Sequence, residues 1–146
     1  MSLTRYRFRT TWTIGAPASV VFATVVDLAA YPRWWPDVRS VRRIDDDTAE
    51  LVCRATLPFA LTLRVRRMEQ DAAAGRLGVT LSGDLEGSLT GRVLPNGHGT
   101  HLHIVQHVVA AKPLLRVFSP VAHPLFRANH AAMMRRGLRG LRAWLS

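Results

Sequence analysis

Residues 84–111 read DLEGSLTGRVLPNGHGTHLHIVQHVVAA. Two segments of period two, 84–93 and 100–111, flank Pro95-Asn96-Gly97, and a Gly-containing turn between alternating runs is the signature of a β-hairpin. The same period reaches back through 38–44, 49–57, 59–68 and 76–82, broken at Asp45-Asp46-Asp47, Pro58, Ala74-Gly75 and Gly83-Asp84. Six consecutive strands with hairpin-like connectors make an antiparallel meander more economical than crossovers. A seventh strand precedes them, where Tyr6, Phe8, Thr10, Trp12 and Ile14 alternate with Arg5, Arg7, Arg9, Thr11 and Thr13. That is a half-buried strand.

Between the first strand and the meander, Gly15-Ala16-Pro17 leads into ASVVFATVVDL. Pro17 suits the start of a helix, and Val20, Val21, Ala23, Val25 and Leu28 are its expected buried stripe. DLAAYPRWWPDV (27–38) then predicts a second short helical turn ending in an aromatic loop. After the last strand, Pro113, Pro120 and Pro124 mark an irregular run before a long helix from about Val121 or His123 to Leu145. The order predicts an α+β domain: a seven-stranded curved antiparallel sheet wrapped around a long C-terminal helix, with two short helices after strand 1. Two short helices cannot cover so large a curved sheet, so the long helix should lie in its concavity and leave an elongated apolar space beside it.

Composition bounds the rest. The 146 residues, 48% hydrophobic and 21% charged, fit a single domain spanning 1–146 and exclude a fibrous or disordered chain. The apolar run from Val20 to Val26 is far short of the roughly 20 residues of a membrane span. MSLTRYRFRT runs into an alternating strand rather than the apolar core of a secretory signal, so a cytoplasmic location is expected. The single cysteine, Cys53, excludes an internal disulfide and a cysteine-based zinc cluster. The net charge of +10 brings nucleic acid or an anionic membrane into question, yet 19 of the 20 basic residues are Arg, a skew that GC-rich coding produces by itself. A nucleic-acid partner is therefore not expected.

AAYPRWWPDVRSV at 29–41, GDLEG at 83–87, GTHLHIVQHVVAAKP at 99–113 and HPLFRANHAAMMRRGLRGL at 123–141 together resemble the polyketide cyclase/dehydrase and lipid-transport proteins of the START-like, or SRPBCC, superfamily. The resemblance covers nearly the whole chain. It implies a helix-grip fold with a hydrophobic ligand cavity, in a family that includes aromatase/cyclases, lipid carriers and hormone receptors. In this subgroup a Trp commonly stands at the positions of Gly91 and Gln106. Facing a cavity, Gly91 would enlarge it and Gln106 would add a polar contact.

The terminal helix, phased at about 100° per residue, puts Phe126, Asn129, His130, Met133, Gly137, Gly140, Leu141 and Trp144 on one face and Arg127, Arg135, Arg139 and Arg142 on the other. Asn129 and His130 are the strongly polar groups of the inner face. They serve either a structural hydrogen bond or a ligand and acid/base role. Tyr31, Trp34 and Trp35 either stack on a planar ligand or plug the core. Phe59, Leu61, Leu63 and Val65 form a core or cavity wall. Arg67 is in phase with them, and the resemblance makes it the one arginine placed to polarise a carbonyl; the alternative is a strand-end Arg reaching water. His101, His103 and His107 share the opposite strand face from Leu102, Ile104, Gln106 and Val108, and without a matching carboxylate or cysteine no metal is expected. Asp84 and Glu86 point outward and offset nearby Arg charge. No Ser-His-Asp spacing, phosphate loop or dinucleotide fingerprint is present, so no cofactor is expected.

The expected ligand contacts are thus Tyr31, Trp34, Trp35, Phe59, Gln106, Phe126, Asn129, His130, Met133 and Gly137. His130, Asn129 and Arg67 are the candidates for chemistry. Three functions compete: a carrier of a lipid-like or polyketide-like molecule, a polyketide cyclase or aromatase, and a basic module for nucleic acid or anionic membrane. The chain is expected as a monomer or homodimer.

Overall fold

The computed structural model describes residues 5–54, 60–110 and 119–146. Phe59, residues 55–57 of the expected strand 49–57 and the run around Pro113 lie outside the described residues. Seven strands, β1 (Arg5–Ile14), β2 (Val38–Arg43), β3 (Thr48–Cys53), β4 (Leu61–Asp71), β5 (Arg76–Gly83), β6 (Leu85–Asn96) and β7 (Gly99–Ala110), form one antiparallel sheet in the order β1-β7-β6-β5-β4-β3-β2. Helix α1 (Ala18–Val26), a 3-10 turn (Leu28–Ala30), the single-turn α2 (Tyr31–Trp34) and the long α3 (Ser119–Trp144) complete the chain. This is the helix-grip arrangement.

Local chemistry sets the strands. On β1 every even position from Tyr6 to Ile14 is more buried than its odd neighbours, so Arg5, Arg7 and Arg9 face water from an edge strand, where charge discourages pairing with another chain. Asp84 closes the β5–β6 corner by accepting the Thr62 N–H on its carboxylate at 2.8 Å and donating its own N–H to the Thr62 carbonyl at 3.1 Å. Gly87 has φ +147°, and a Cβ there would fall 1.8 Å from the His107 carbonyl oxygen, so only glycine lets β6 approach β7 at that point.

Two helix phases differ from expectation. In α1, Val21, Phe22 and Val25 are buried while Val20 is 43% exposed, because this rotation buries the Phe22 ring, the largest apolar group of the helix. In α3, Met134 is buried with Phe126, Asn129 and Leu141, whereas Trp144 is 46% exposed: the last turn runs beyond the core, and Arg142 donates there to the Thr13 carbonyl at 2.8 and 3.0 Å. The helix also begins at Ser119, with Pro124 inside it rather than before it.

What fixes α3 on the sheet is a glycine seam. A Cβ on Gly137 would lie 2.6 Å from Trp35 Cε2 and 3.0 Å from Trp12 Cη2, and one on Gly140 would lie 1.7 Å from the Trp34 carbonyl oxygen. Trp35 Nε1 donates to the Met133 carbonyl at 3.0 Å, and Arg136 holds the buried Asp37 through Nε at 2.9 Å and a terminal N–H at 2.6 Å. An exposed helical Gly→Ala normally stabilises by up to about 1 kcal/mol. Gly140→Ala should instead destabilise by about 2 kcal/mol or more, since the clash is with backbone that cannot rotate away. Urea denaturation of the two proteins measures the sign, and a stabilised Gly140→Ala would contradict this seating.

Candidate functional site

The glycine seam holds α3 close to the α2 end of the sheet, and the sheet's curvature carries β3 to β6 away from the helix. The gap between them is apolar in its inner part and carries charged side chains towards its outer rim. An inner chamber of about 150 Å³ is walled by residues including Trp12, Trp34, Leu102, Ile104, Phe126 and Met134. An outer space of about 550 Å³ runs under the 3-10 turn and along β2 to β5, past Val41, Leu51, Val65 and Val79. Tyr31, Trp35, Cys53, Leu77, Leu89, Gln106 and Met133 wall both, so the two are continuous in their lining. Leu63, Leu77, Val79, Leu89 and Met133 point into the concavity yet stay partly exposed, because they border space rather than neighbouring side chains.

The aromatic wall is largely committed. Tyr31 donates its hydroxyl to the Val25 carbonyl at 2.5 Å, which caps the end of α1, and burial pushes its ionisation well above the usual phenol range. Trp34 and Trp35 stack with centroids 5.5 Å apart, and Trp12 meets Trp35 edge-on at 5.5 Å. Trp34 Nε1 is buried without a hydrogen-bond partner, a cost of about 1–3 kcal/mol that the packing of the ring must offset. Cys53 lines both spaces, and burial, reinforced by Asp37, pushes its thiol up to about 11; it is a neutral apolar wall, not a nucleophile.

One polar pair stands in the apolar lining. Register places Phe8, Gln106, Leu89, Val79 and Arg67 in a single row across β1, β7, β6, β5 and β4. His130, reaching from α3, stacks on Phe8 with ring centroids 3.6 Å apart and planes 10° from parallel. Its Nε2 donates to Gln106 Oε1 at 2.5 Å. Burial, with the nearby Arg127 charge, lowers its pKa from 6.5 to about 4, so at neutral pH the ring is uncharged.

The family model for polyketide cyclase / dehydrase and lipid transport matches residues 5–145. The chain belongs to this family. Among solved structures, the Zhui aromatase/cyclase from Streptomyces sp. R1128 is similar in fold, with a TM-score of 0.81 at 17% identity over 97% of this chain and 93% of that one. The Thermus thermophilus protein TTHA0849 superposes with a TM-score of 0.78 at 18% identity over 97% and 100% of the two chains. A START superfamily protein from Mycobacterium smegmatis gives 0.74 at 17% identity over 95% and 96%. No curated protein matches the chain. At such identities the likeness is one of fold.

Within this polyketide cyclase/lipid-transport fold, Tyr31, Trp34, Trp35, Gln106, Phe126, Asn129, His130 and Met133 all line the inner chamber. Phe59 lies outside the described residues. Gly137 is corrected: it lines neither space, because Trp35 and Trp12 occupy the volume in front of it. Gly91 does line the inner chamber, but the room left by its missing side chain is largely taken by Leu77, whose Cγ would be 3.1 Å from a Cβ there. Arg67 faces the concave side at the rim of the outer space, half-exposed, donating to the Asp46 carbonyl at 3.0 Å with Asp47 3.7 Å away. His103 and His101 lie on the opposite face, bonded through Nδ1 to Thr11 and Thr13 at 2.9 and 3.1 Å. Among the described residues no group of three metal-ligating side chains forms, and no helix is long and apolar enough to cross a membrane. Sequence reasoning missed Phe8 as the platform for His130, and missed Leu77. Pairing β1 with β7 in register would have placed Phe8 beside Gln106.

The depressed pKa of His130 sets a pH dependence. Below about 6.5 the unfolded chain binds a proton that the folded chain accepts only near 4, so stability present above pH 6.5 is lost as pH falls towards 4, on the order of 3 kcal/mol for this one group. The His130→Phe protein should lose correspondingly less between pH 7 and pH 4. Equal losses in denaturant titrations of the two would place a charged or exposed imidazole at 130.

Proposed function

We propose that this protein binds a hydrophobic, lipid-like or polyketide-like small molecule between the sheet and α3. The observation that carries the reading is the continuous space of about 150 and 550 Å³, apolar in its inner chamber and along the sheet and charged only towards its outer rim, bordered by part-exposed Leu, Val and Met side chains that a well-packed core would have closed upon. Removal of apolar surface from water at about 25 cal/mol per Å² gives a ligand of a few hundred Å² enough driving force for micromolar binding after the cost of association. Family membership and the shared fold support the same class of ligand.

A test uses N-phenyl-1-naphthylamine, an apolar dye that brightens on leaving water. One dye should bind per chain, and Leu77→Trp, which fills the shared wall of both spaces, should weaken binding about tenfold or more while the circular dichroism spectrum stays unchanged. Undiminished binding to a folded Leu77→Trp would place the dye elsewhere and remove this function.

A cyclase or aromatase role is the second reading, and the Gln106–His130 pair favours it, since it sets hydrogen-bonding side chains where a keto substrate would lie in an otherwise largely apolar chamber. The similar Zhui protein is an aromatase/cyclase. Under this reading His130→Phe abolishes cyclisation of a poly-β-keto thioester and leaves dye binding intact. Turnover unaffected by that change would exclude His130 from the chemistry.

A further inference from the structure

We infer that Gln106 reads a hydrogen-bond acceptor on an uncharged ligand, a ketone-type oxygen on an otherwise apolar body. This deepens the binding reading above and rests on it. The carboxamide has two ends, and the structure commits one: Oε1 accepts from His130 Nε2 at 2.5 Å. His130 is itself held by its 3.6 Å stack on Phe8, which fixes the ring plane and therefore the direction from which Nε2 meets the amide oxygen. The amide nitrogen, with its two N–H donors, is left for the cavity, and Gln106 walls both the inner chamber and the outer space. It is only part-buried although it lies on the concave face between Leu89 and Phe8, so what it borders is the cavity.

Three neighbouring N–H and O–H donors are already committed or closed off. The Tyr31 hydroxyl and Trp35 N–H are used by backbone carbonyls, and Trp34 Nε1 is sealed from any approaching atom. No Asp, Glu, Lys or Arg lines the inner chamber among the described residues. A ligand carboxylate or ammonium placed there would lose its hydration without a counter-charge, at a cost no single amide offsets. A donor without an acceptor is likewise penalised, so an oxygen-bearing ligand is preferred over its hydrocarbon analogue of the same shape.

Three probes on one tricyclic frame separate these terms: fluorene and 9-fluorenone, which share a planar shape, and fluorene-9-carboxylate, which adds a charged group at C9. The preference for fluorenone over fluorene should fall about five- to tenfold in Gln106→Leu, which keeps the size of the side chain and removes the donor. In the unaltered protein the carbonyl stretch of bound fluorenone should lie below its value in cyclohexane, and the carboxylate should bind at least tenfold more weakly than fluorenone. A fluorenone preference unchanged by Gln106→Leu overturns the inference, as does an unshifted carbonyl stretch. A carboxylate bound as tightly as fluorenone overturns its uncharged part. If Gln106→Leu does not fold, the carbonyl frequency in the unaltered chain decides. If none of the three probes binds, the cavity reading itself fails, which is distinct from equal binding of fluorene and fluorenone.

Discussion

The close seating of α3 on Trp12, Trp34 and Trp35 is the contact on which the remaining geometry depends. Gly137 and Gly140 remove the side chains that would stand between helix and indoles, and the hydrogen bond from Trp35 to the Met133 carbonyl fixes the rotation of the helix about its axis. Once α3 is clamped at that end, the curved sheet departs from it at the other. A methyl group added in the seam would raise the helix, and the height of the cavity would change with it. The space is therefore a consequence of tight packing elsewhere rather than of poor packing.

The same clamp orients the polar pair. With the rotation of α3 set, Asn129 and His130 face the sheet, and the β1–β7 register delivers Phe8 and Gln106 to the place where the imidazole arrives. An uncharged imidazole between a phenyl ring and an amide is consistent with the low dielectric of the site. The buried Asp37, by contrast, is met by Arg136 with two N–H donors from a later turn of the same helix. Two titratable groups held by one helix thus have opposite solutions to burial, one neutral and one paired.

Much of this was legible in the residues. Period two along β1, β6 and β7 follows from side chains that alternate between the concavity and water, and the inner face of α3 follows from helical phase, which brings Gln106, His130 and Met133 to the lining of one space. Errors arose where tertiary contacts outweigh local pattern. Helix α1 rotates to bury Phe22 rather than Val20, and Trp144 is released because the helix outlasts the sheet it packs on. Gly137 gave an ambiguous signal, since a glycine on an inner face permits either close packing or ligand space, and only the position of Trp35 decides. Arg67 has the phase of the concave face, and its half-exposed place at the rim fits the reading of a strand-end arginine reaching water; the Asp46-Asp47 turn that also meets its guanidinium is a partner no periodicity announces.

The most direct measurement of the central claim is the diffraction of a crystal held under xenon, an apolar atom that fills dry cavities and ignores polar sites. Xenon is predicted in the inner chamber against Leu102, Ile104 and Met134, with further density along Leu77 and Leu89. A crystal in which Leu77 and Met133 close upon each other, leaving no xenon between sheet and helix, would contradict the cavity and the function derived from it.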